Sequence, residues 1–208
     1  MNAGTGYLLI VEDDPDIRKL LDTTLSFKGY RVITARNGKE ALEVVQKEIP
    51  TIVIADIMMP QLDGFGLVHR LRIAPETRNV PVVFITATYV APEDKEFALN
   101  IGATRFIQKP VDLEVFLKTI AELLKLGVHA AEPLNEFNFY DGYRQRLEAK
   151  LDQKNKQIAR EEHLLASHSE SEDQGLQVSL RHALKEREEL KLLIDQIHKR
   201  LEKIARSK

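Results

Sequence analysis

Ile52-Val53-Ile54-Ala55-Asp56 decides the fold: a short apolar run that stops on a carboxylate. A run this short and this continuously apolar reads as a strand buried on both faces, the habit of parallel sheets. Ile57-Met58-Met59-Pro60 follows, then Asp63-Gly64, a turn signal. An acid at the carboxyl end of such a strand stands where open α/β sheets place their ligand chemistry.

Other runs repeat the pattern. Tyr7–Val11 ends in Glu12-Asp13, and Thr104–Ile107 is followed by Lys109-Pro110. Arg31–Thr34, Thr51–Ala55 around the run quoted above, and Pro81–Thr86 complete five strand candidates. Between and after them lie amphipathic stretches. Asp16–Phe27 carries Ile17, Leu20, Leu21, Thr24 and Leu25 on one face, follows Pro15 and stops at Gly29. Lys39–Glu48, Leu62–Ile73, Glu93–Asn100 and Asp112–Leu126 are the other helix candidates, with Asp14 and Asp112 as N-caps. Five βα units in a row predict a doubly wound five-stranded parallel sheet with helices on both faces. That fold would bring three acids and one lysine together at strand ends, an arrangement suited to a divalent cation and a phosphoryl group.

Composition narrows the function. The 208 residues fit one or two domains, 43% are hydrophobic, and the formal net charge is only −2, which argues against a general polyanion binder. With no cysteine, disulfides, thiolate metal sites and cysteine nucleophiles are excluded. No apolar run approaches the ~20 residues of a membrane span, and Met1–Gly6 lacks the basic start and apolar core of a signal peptide. A soluble cytoplasmic protein is expected.

After Leu126 the strand runs disappear. Residues 127–142 hold Gly, Pro and Asn and read as a linker, dividing a domain at 1–126 from a helical region at 143–208. In that region Leu147, Leu151, Lys154, Ile158, Glu161 and Leu165 alternate in steps of four and three. Leu180, Ala183, Arg187, Leu190, Ile194, Ile197, Leu201 and Ile204 do the same, a heptad seam with one arginine in it. The polar stretch Ser167–Gly175 separates the two series. Either an antiparallel helical hairpin or one long helix in a parallel coiled-coil homodimer satisfies the pattern. From Val128 onward the chain carries 15 Lys+Arg against 15 Asp+Glu, so a nucleic-acid-binding helix, which would show a basic excess, is not expected.

Residues 6–126 resemble the receiver domain of two-component response regulators. The resemblance rests on Leu9-Ile10-Val11-Glu12-Asp13-Asp14, on Ile54 to Pro60 with Asp63-Gly64, on Phe84-Ile85-Thr86-Ala87 and on Gly102 to Pro110, in order and each at a strand end. It implies a flavodoxin-like fold and a phosphoprotein of a phosphorelay. Asp56 would be the phosphoacceptor, a carboxylate nucleophile. Asp13 and Asp56 would ligate Mg²⁺ directly, Glu12 through water, and the Met58 backbone carbonyl would complete the protein's share. Lys109 would neutralise charge, Thr86 would donate its hydroxyl to the phosphoryl group, and Phe106 would pack inward as the switch aromatic. Met58 and Thr88 would tune hydrolysis.

The implied partners are a sensor histidine kinase or phosphotransfer protein, and an unidentified protein docked by the tail. No enzymatic activity beyond self-catalysed phosphoryl transfer to Asp56 is expected. A constitutive coiled-coil scaffold, or a phosphate sink, is the alternative. No histidine pair has metal-ligand spacing: His69 is expected on the surface of the third helix, and His129, His163, His168, His182 and His198 lie in the tail. A phosphorelay through His163, His168 or His198 is a third reading. The stretch around His198 faintly resembles kinase dimerisation helices, but Glu202-Lys203-Ile204-Ala205 stands where an Asn-containing continuation belongs.

Overall fold

The computed structural model describes residues 6–87, 91–126, 134–167 and 174–206. The chain divides into two compact units, Met1–Leu134 and Asn135–Lys208.

The first unit runs β1 (Leu8–Val11), α1 (Pro15–Phe27), β2 (Val32–Ala35), α2 (Gly38–Val45), β3 (Ile52–Ala55), α3 (Gly64–Ile73), β4 (Val82–Thr86), α4 (Pro92–Asn100), β5 (Arg105–Gln108) and α5 (Leu113–Leu126). The five strands form one sheet in the order β2-β1-β3-β4-β5. All pairings are parallel. Because side chains alternate across a strand, each apolar run feeds two cores. Leu8, Ile10, Ile52, Ile54, Val83 and Ile85 meet Leu21 and Leu25 of α1 and Phe116, Ile120 and Leu123 of α5. On the other face, Phe65 of α3 makes edge-on ring contacts with Phe84 of β4 and Phe97 of α4.

Caps set the helix starts. Asp14 accepts from the Asp16 and Ile17 amides at 2.9 and 3.0 Å, and Asp112 accepts from Glu114 and Val115 at 2.9 and 3.1 Å, so both expected caps are present. The third helix starts at Gly64 rather than Leu62, because Asp63 is extended and caps it through the Gly66 amide. α2 ends at Val45 rather than Glu48, since Lys47 and Glu48 both turn back onto the Val44 carbonyl. His69 corrects the sequence reading: it is buried, and so is nearly every side chain of α3, which packs beside α2 and touches α4 through the phenylalanine pair.

The second unit is a pair of helices, α6 (Glu136–Ser167) and α7 (Gln174–Arg206). Contacts run antiparallel: Glu136 meets Arg200, Glu148 meets His198, and Lys154 meets Glu186. Of the two arrangements the heptads allow, the chain adopts the hairpin. Every seam position of both helices is buried or half-buried, with Leu147, Ile158, Ala183, Leu190, Ile194 and Ile197 at its centre. α6 begins inside the stretch read as linker. Asn135 caps it by accepting the Asn138 amide at 2.9 Å, and buried Phe139 and Tyr143 carry the apolar stripe back from Leu147 in steps of four. The glycine and asparagines that suggested a loop were outweighed by those two rings. Thr88, His129, His168 and most of the polar stretch between the series lie outside the described residues. Among the described residues, no helix is long and apolar enough to cross a membrane.

Candidate functional site

β1 and β3 are neighbours in register, Val11 beside Ala55. The residues that follow them, Glu12-Asp13 and Asp56, therefore emerge side by side at one end of the sheet. One carboxylate oxygen from each of Glu12, Asp13 and Asp56 lies within 4.8 Å of the others. Glu12 and Asp56 are buried, at 2% and 8% exposure, whereas Asp13 faces solvent.

Lys109 arrives from the end of β5. Its Nζ donates to Asp56 Oδ2 at 2.6 Å and to Glu12 Oε2 and Oε1 at 2.9 and 3.1 Å. The backbone of Lys109 is anchored as well: its N–H donates to the Thr86 carbonyl at 3.0 Å. The other Asp56 oxygen, Oδ1, accepts from the Ile57 and Met58 amides at 2.5 and 3.3 Å. Thus both oxygens of Asp56 are held, one by backbone and one by a cation.

The electrostatics follow from crowding. Burial, then the neighbouring Asp56 charge, push Glu12 up to about 7 despite Lys109. Partial desolvation, with the neighbouring Asp56 charge, also raises Asp13 although its side chain reaches solvent. Burial alone would lower Lys109, yet its bonds to Asp56 and Glu12 outweigh that and hold it above its ordinary value. Three carboxylates share one lysine here, so the cluster carries surplus negative charge. An all-oxygen donor set with that surplus fits a hard divalent cation such as Mg²⁺.

The loop after Asp56 is tightly built. The Gly64 amide donates to the Ile57 carbonyl at 2.9 Å, and a Cβ on Gly64 would meet the Asp56 carbonyl oxygen at 2.3 Å. Only glycine allows that approach. Gln61 has φ +66°, and the Leu62 amide donates to the Pro60 carbonyl at 2.8 Å, a γ-turn centred on Gln61. The Leu62 carbonyl in turn accepts from the Gly38 amide at 2.8 Å, which ties the loop to the start of α2.

The remaining expected residues lie around this cluster. Met58 is half-buried in the loop. Thr86 is buried at the end of β4, beside Gln108 in register. Phe106 stands apart on β5, opposite Phe84 and half-buried, with the Lys95 ammonium 5.8 Å from its ring centre. His163 and His198 are exposed on the helical pair, and His198 Nε2 lies 3.6 Å from Glu148 Oε1. Arg18 went unnoticed in the sequence. From the first turns of α1 it donates to the carbonyls of Glu12 and Asp13 at 2.6 and 3.1 Å, fixing the backbone that aims both acids.

Residues 8–121 match the family model described as response regulator receiver domain. An uncharacterized 14.6 kDa protein of Leptolyngbya boryana is 41% identical over 105 residues, covering 50% of this chain and 79% of its own. "Probable transcriptional regulator ycf27" of Pyropia yezoensis is 40% identical over 116 residues, 54% of this chain and 46% of its own. The chain thus spans about half the length of that curated relative. Among solved structures, the chemotaxis response regulator CheY4 of Vibrio cholerae is 34% identical with a TM-score of 0.54, covering 57% of this chain and 98% of that one. The receiver domain of a signal transduction histidine kinase from Syntrophus aciditrophicus is 35% identical with a TM-score of 0.54, covering 58% and 90%.

Proposed function

The chain belongs to the response regulator receiver domain family, and we propose from that premise that Asp56 accepts a phosphoryl group from the phosphohistidine of a sensor kinase or phosphotransfer protein. The observation that carries this reading is the buried Asp56 carboxylate, gripped by Lys109 at 2.6 Å and flanked by Glu12 and Asp13.

In this reading an Asp56 oxygen attacks phosphorus in line, the phosphorus–nitrogen bond breaks, the imidazole leaves and regains a proton, and an acyl phosphate remains on Asp56. Glu12, Asp13, Asp56 and the Met58 carbonyl would hold Mg²⁺, with Glu12 acting through water. When bound, the ion supplies neutralisation of the phosphoryl oxygens. Lys109 moves its ammonium from the carboxylate to the new phosphoryl oxygens. Thr86 turns its hydroxyl toward them, and Phe106 packs inward. The chain acts on no substrate other than its own aspartate.

The output is assigned to the helical pair. Its seam is covered within one chain, which supports docking of a partner on the outer faces better than a homodimer zipped through the seam. The even charge balance of the tail supports a protein partner over nucleic acid.

The test is incubation of the full chain with a labelled small phosphodonor, with and without Mg²⁺, beside Asp56→Asn. Metal-dependent label, lost in the variant and released by alkali, is the expected result. Equal labelling of both proteins, or none in the wild type, would refute it.

A further inference from the structure

Three consecutive carbonyls beside the site accept from one residue. The Arg18 amide donates to the Asp14 carbonyl at 3.0 Å, an ordinary bond of the first turn of α1. The Arg18 side chain reaches back further: one Nη donates to the Glu12 and Asp13 carbonyls at 2.6 and 3.1 Å. The backbone that carries two of the three cluster acids is thereby fixed from outside the cluster.

The three acids do not depend on this equally. Both Asp56 oxygens are gripped, Oδ1 by the Ile57 and Met58 amides and Oδ2 by Lys109. Both Glu12 oxygens accept from Lys109, and the Glu12 amide is tied to the Ala35 carbonyl at 3.1 Å. Asp13 is different. Its side chain is exposed, and its carboxylate accepts from amides of its own turn, those of Asp13 and Asp14. Its place follows the local backbone, and Arg18 holds that backbone.

A loosely placed ligand matters more to one ion than to another. Mg²⁺ demands near-ideal octahedral geometry at about 2.0–2.1 Å, whereas Ca²⁺ accepts about six to eight oxygens at about 2.3–2.6 Å in flexible arrangements. We propose that Arg18 is a positioning residue that sets the ion selectivity of the site. By pinning the Glu12 and Asp13 carbonyls it holds the Asp13 carboxylate for a small octahedral ion, and so favours Mg²⁺ over Ca²⁺. This rests on the cation assigned to the cluster above, and not on the phosphoryl step.

The test is titration of the full chain with MgCl₂ and, separately, CaCl₂ at one pH, by calorimetry and by the amide NMR signals of Asp13, Ile57 and Met58. In Arg18→Met, Mg²⁺ should bind about tenfold more weakly, the low end of what losing an outer partner of a metal ligand does. Ca²⁺ affinity should change by less than about threefold, so the ratio of the two affinities falls. Loss of the arginine charge alone would tighten both ions by a similar factor and leave the ratio unchanged. A loosened fold would weaken both ions alike and shift the metal-free signals of β3 and β4. Either of those results overturns the proposal. Arg18→Lys keeps the charge but not the planar reach to two carbonyls. Its ratio should lie between, and it carries the test if the methionine variant does not fold. A wild-type ratio in every variant that folds overturns the proposal alone. Failure of the wild type to bind either ion overturns the metal reading and the proposal with it. A wild type that binds Mg²⁺ selectively yet takes no phosphoryl label sinks the Asp56 reading and leaves the role of Arg18 standing.

Discussion

Glu12→Gln should remove about 3 kcal/mol of the receiver unit's loss of stability with rising pH, when measured without metal. Glu12 ordinarily titrates at 4.5, and in the fold it is pushed to about 7 by burial and by Asp56. The folded form therefore holds a proton that the unfolded chain has already released. Stability from this group is fully present below 4.5 and is lost as pH rises through about 7. At roughly 1.4 kcal/mol per pH unit of separation, the loss amounts to about 3 kcal/mol by about pH 8. Asp63, pushed by burial to about 7 as well, has the same sign and falls in the same window. It is present in both proteins, so it cancels from the comparison. Lys109 keeps its Asp56 partner in the variant. Because the chain has two units, a single melt would mix them. Urea-dependent exchange of β1 and β3 amides isolates the receiver. In chelator, wild type should lose about 3 kcal/mol more than the variant between about pH 5 and about pH 8. Millimolar Mg²⁺ should restore the wild type and help the variant less. Parallel pH profiles for the two proteins would refute the reasoning.

Gln61→Gly should raise stability by about 1 kcal/mol in urea unfolding, because φ +66° costs a side-chain-bearing residue what glycine escapes. Gly64→Ala should cost about 3 kcal/mol and weaken beryllofluoride uptake, since its Cβ would meet the Asp56 carbonyl at 2.3 Å. Lys154→Glu should lower the melting temperature of the helical pair, and adding Glu186→Lys should restore it. The coupling energy should be about 0.5–1 kcal/mol for a half-buried pair 2.5 Å apart.

Much of the receiver was legible because its signals are local. Asp14 and Asp112 announce helix starts through side-chain chemistry that needs no partner from elsewhere. The apolar runs are short, bounded and two-sided, so β1 and β3 could be placed to within a residue. Three of the features that escaped depend on long-range context. His69 looked like a surface residue until α2 and α4 flanked its helix. Arg72 reads as an ordinary helix arginine, and its value lies in a carbonyl thirty positions onward in the chain. The start of α6 was hidden because Gly142 and the asparagines carry a loop signal in isolation. Phe139 and Tyr143 acquire their burial only once the helical pair has formed.

The sheet order also explains which residue types the site can use. β3 lies between β1 and β4, so Glu12 and Asp13 reach Asp56 as immediate neighbours. β5 is two strands from β3, roughly 10 Å at ordinary strand spacing. A cation from β5 must cross the end of β4 to touch Asp56. Lysine has a long flexible stem for that crossing, where a short side chain would fall short. The crossing also needs a small residue at the tip of β4, and Thr86 supplies one while its carbonyl holds the Lys109 amide at 3.0 Å. A bulky replacement at Thr86 would block the path of the very lysine it helps to anchor. The pairing of a small hydroxyl residue on one strand with a lysine on the next is therefore one constraint, set by the spacing of the strands.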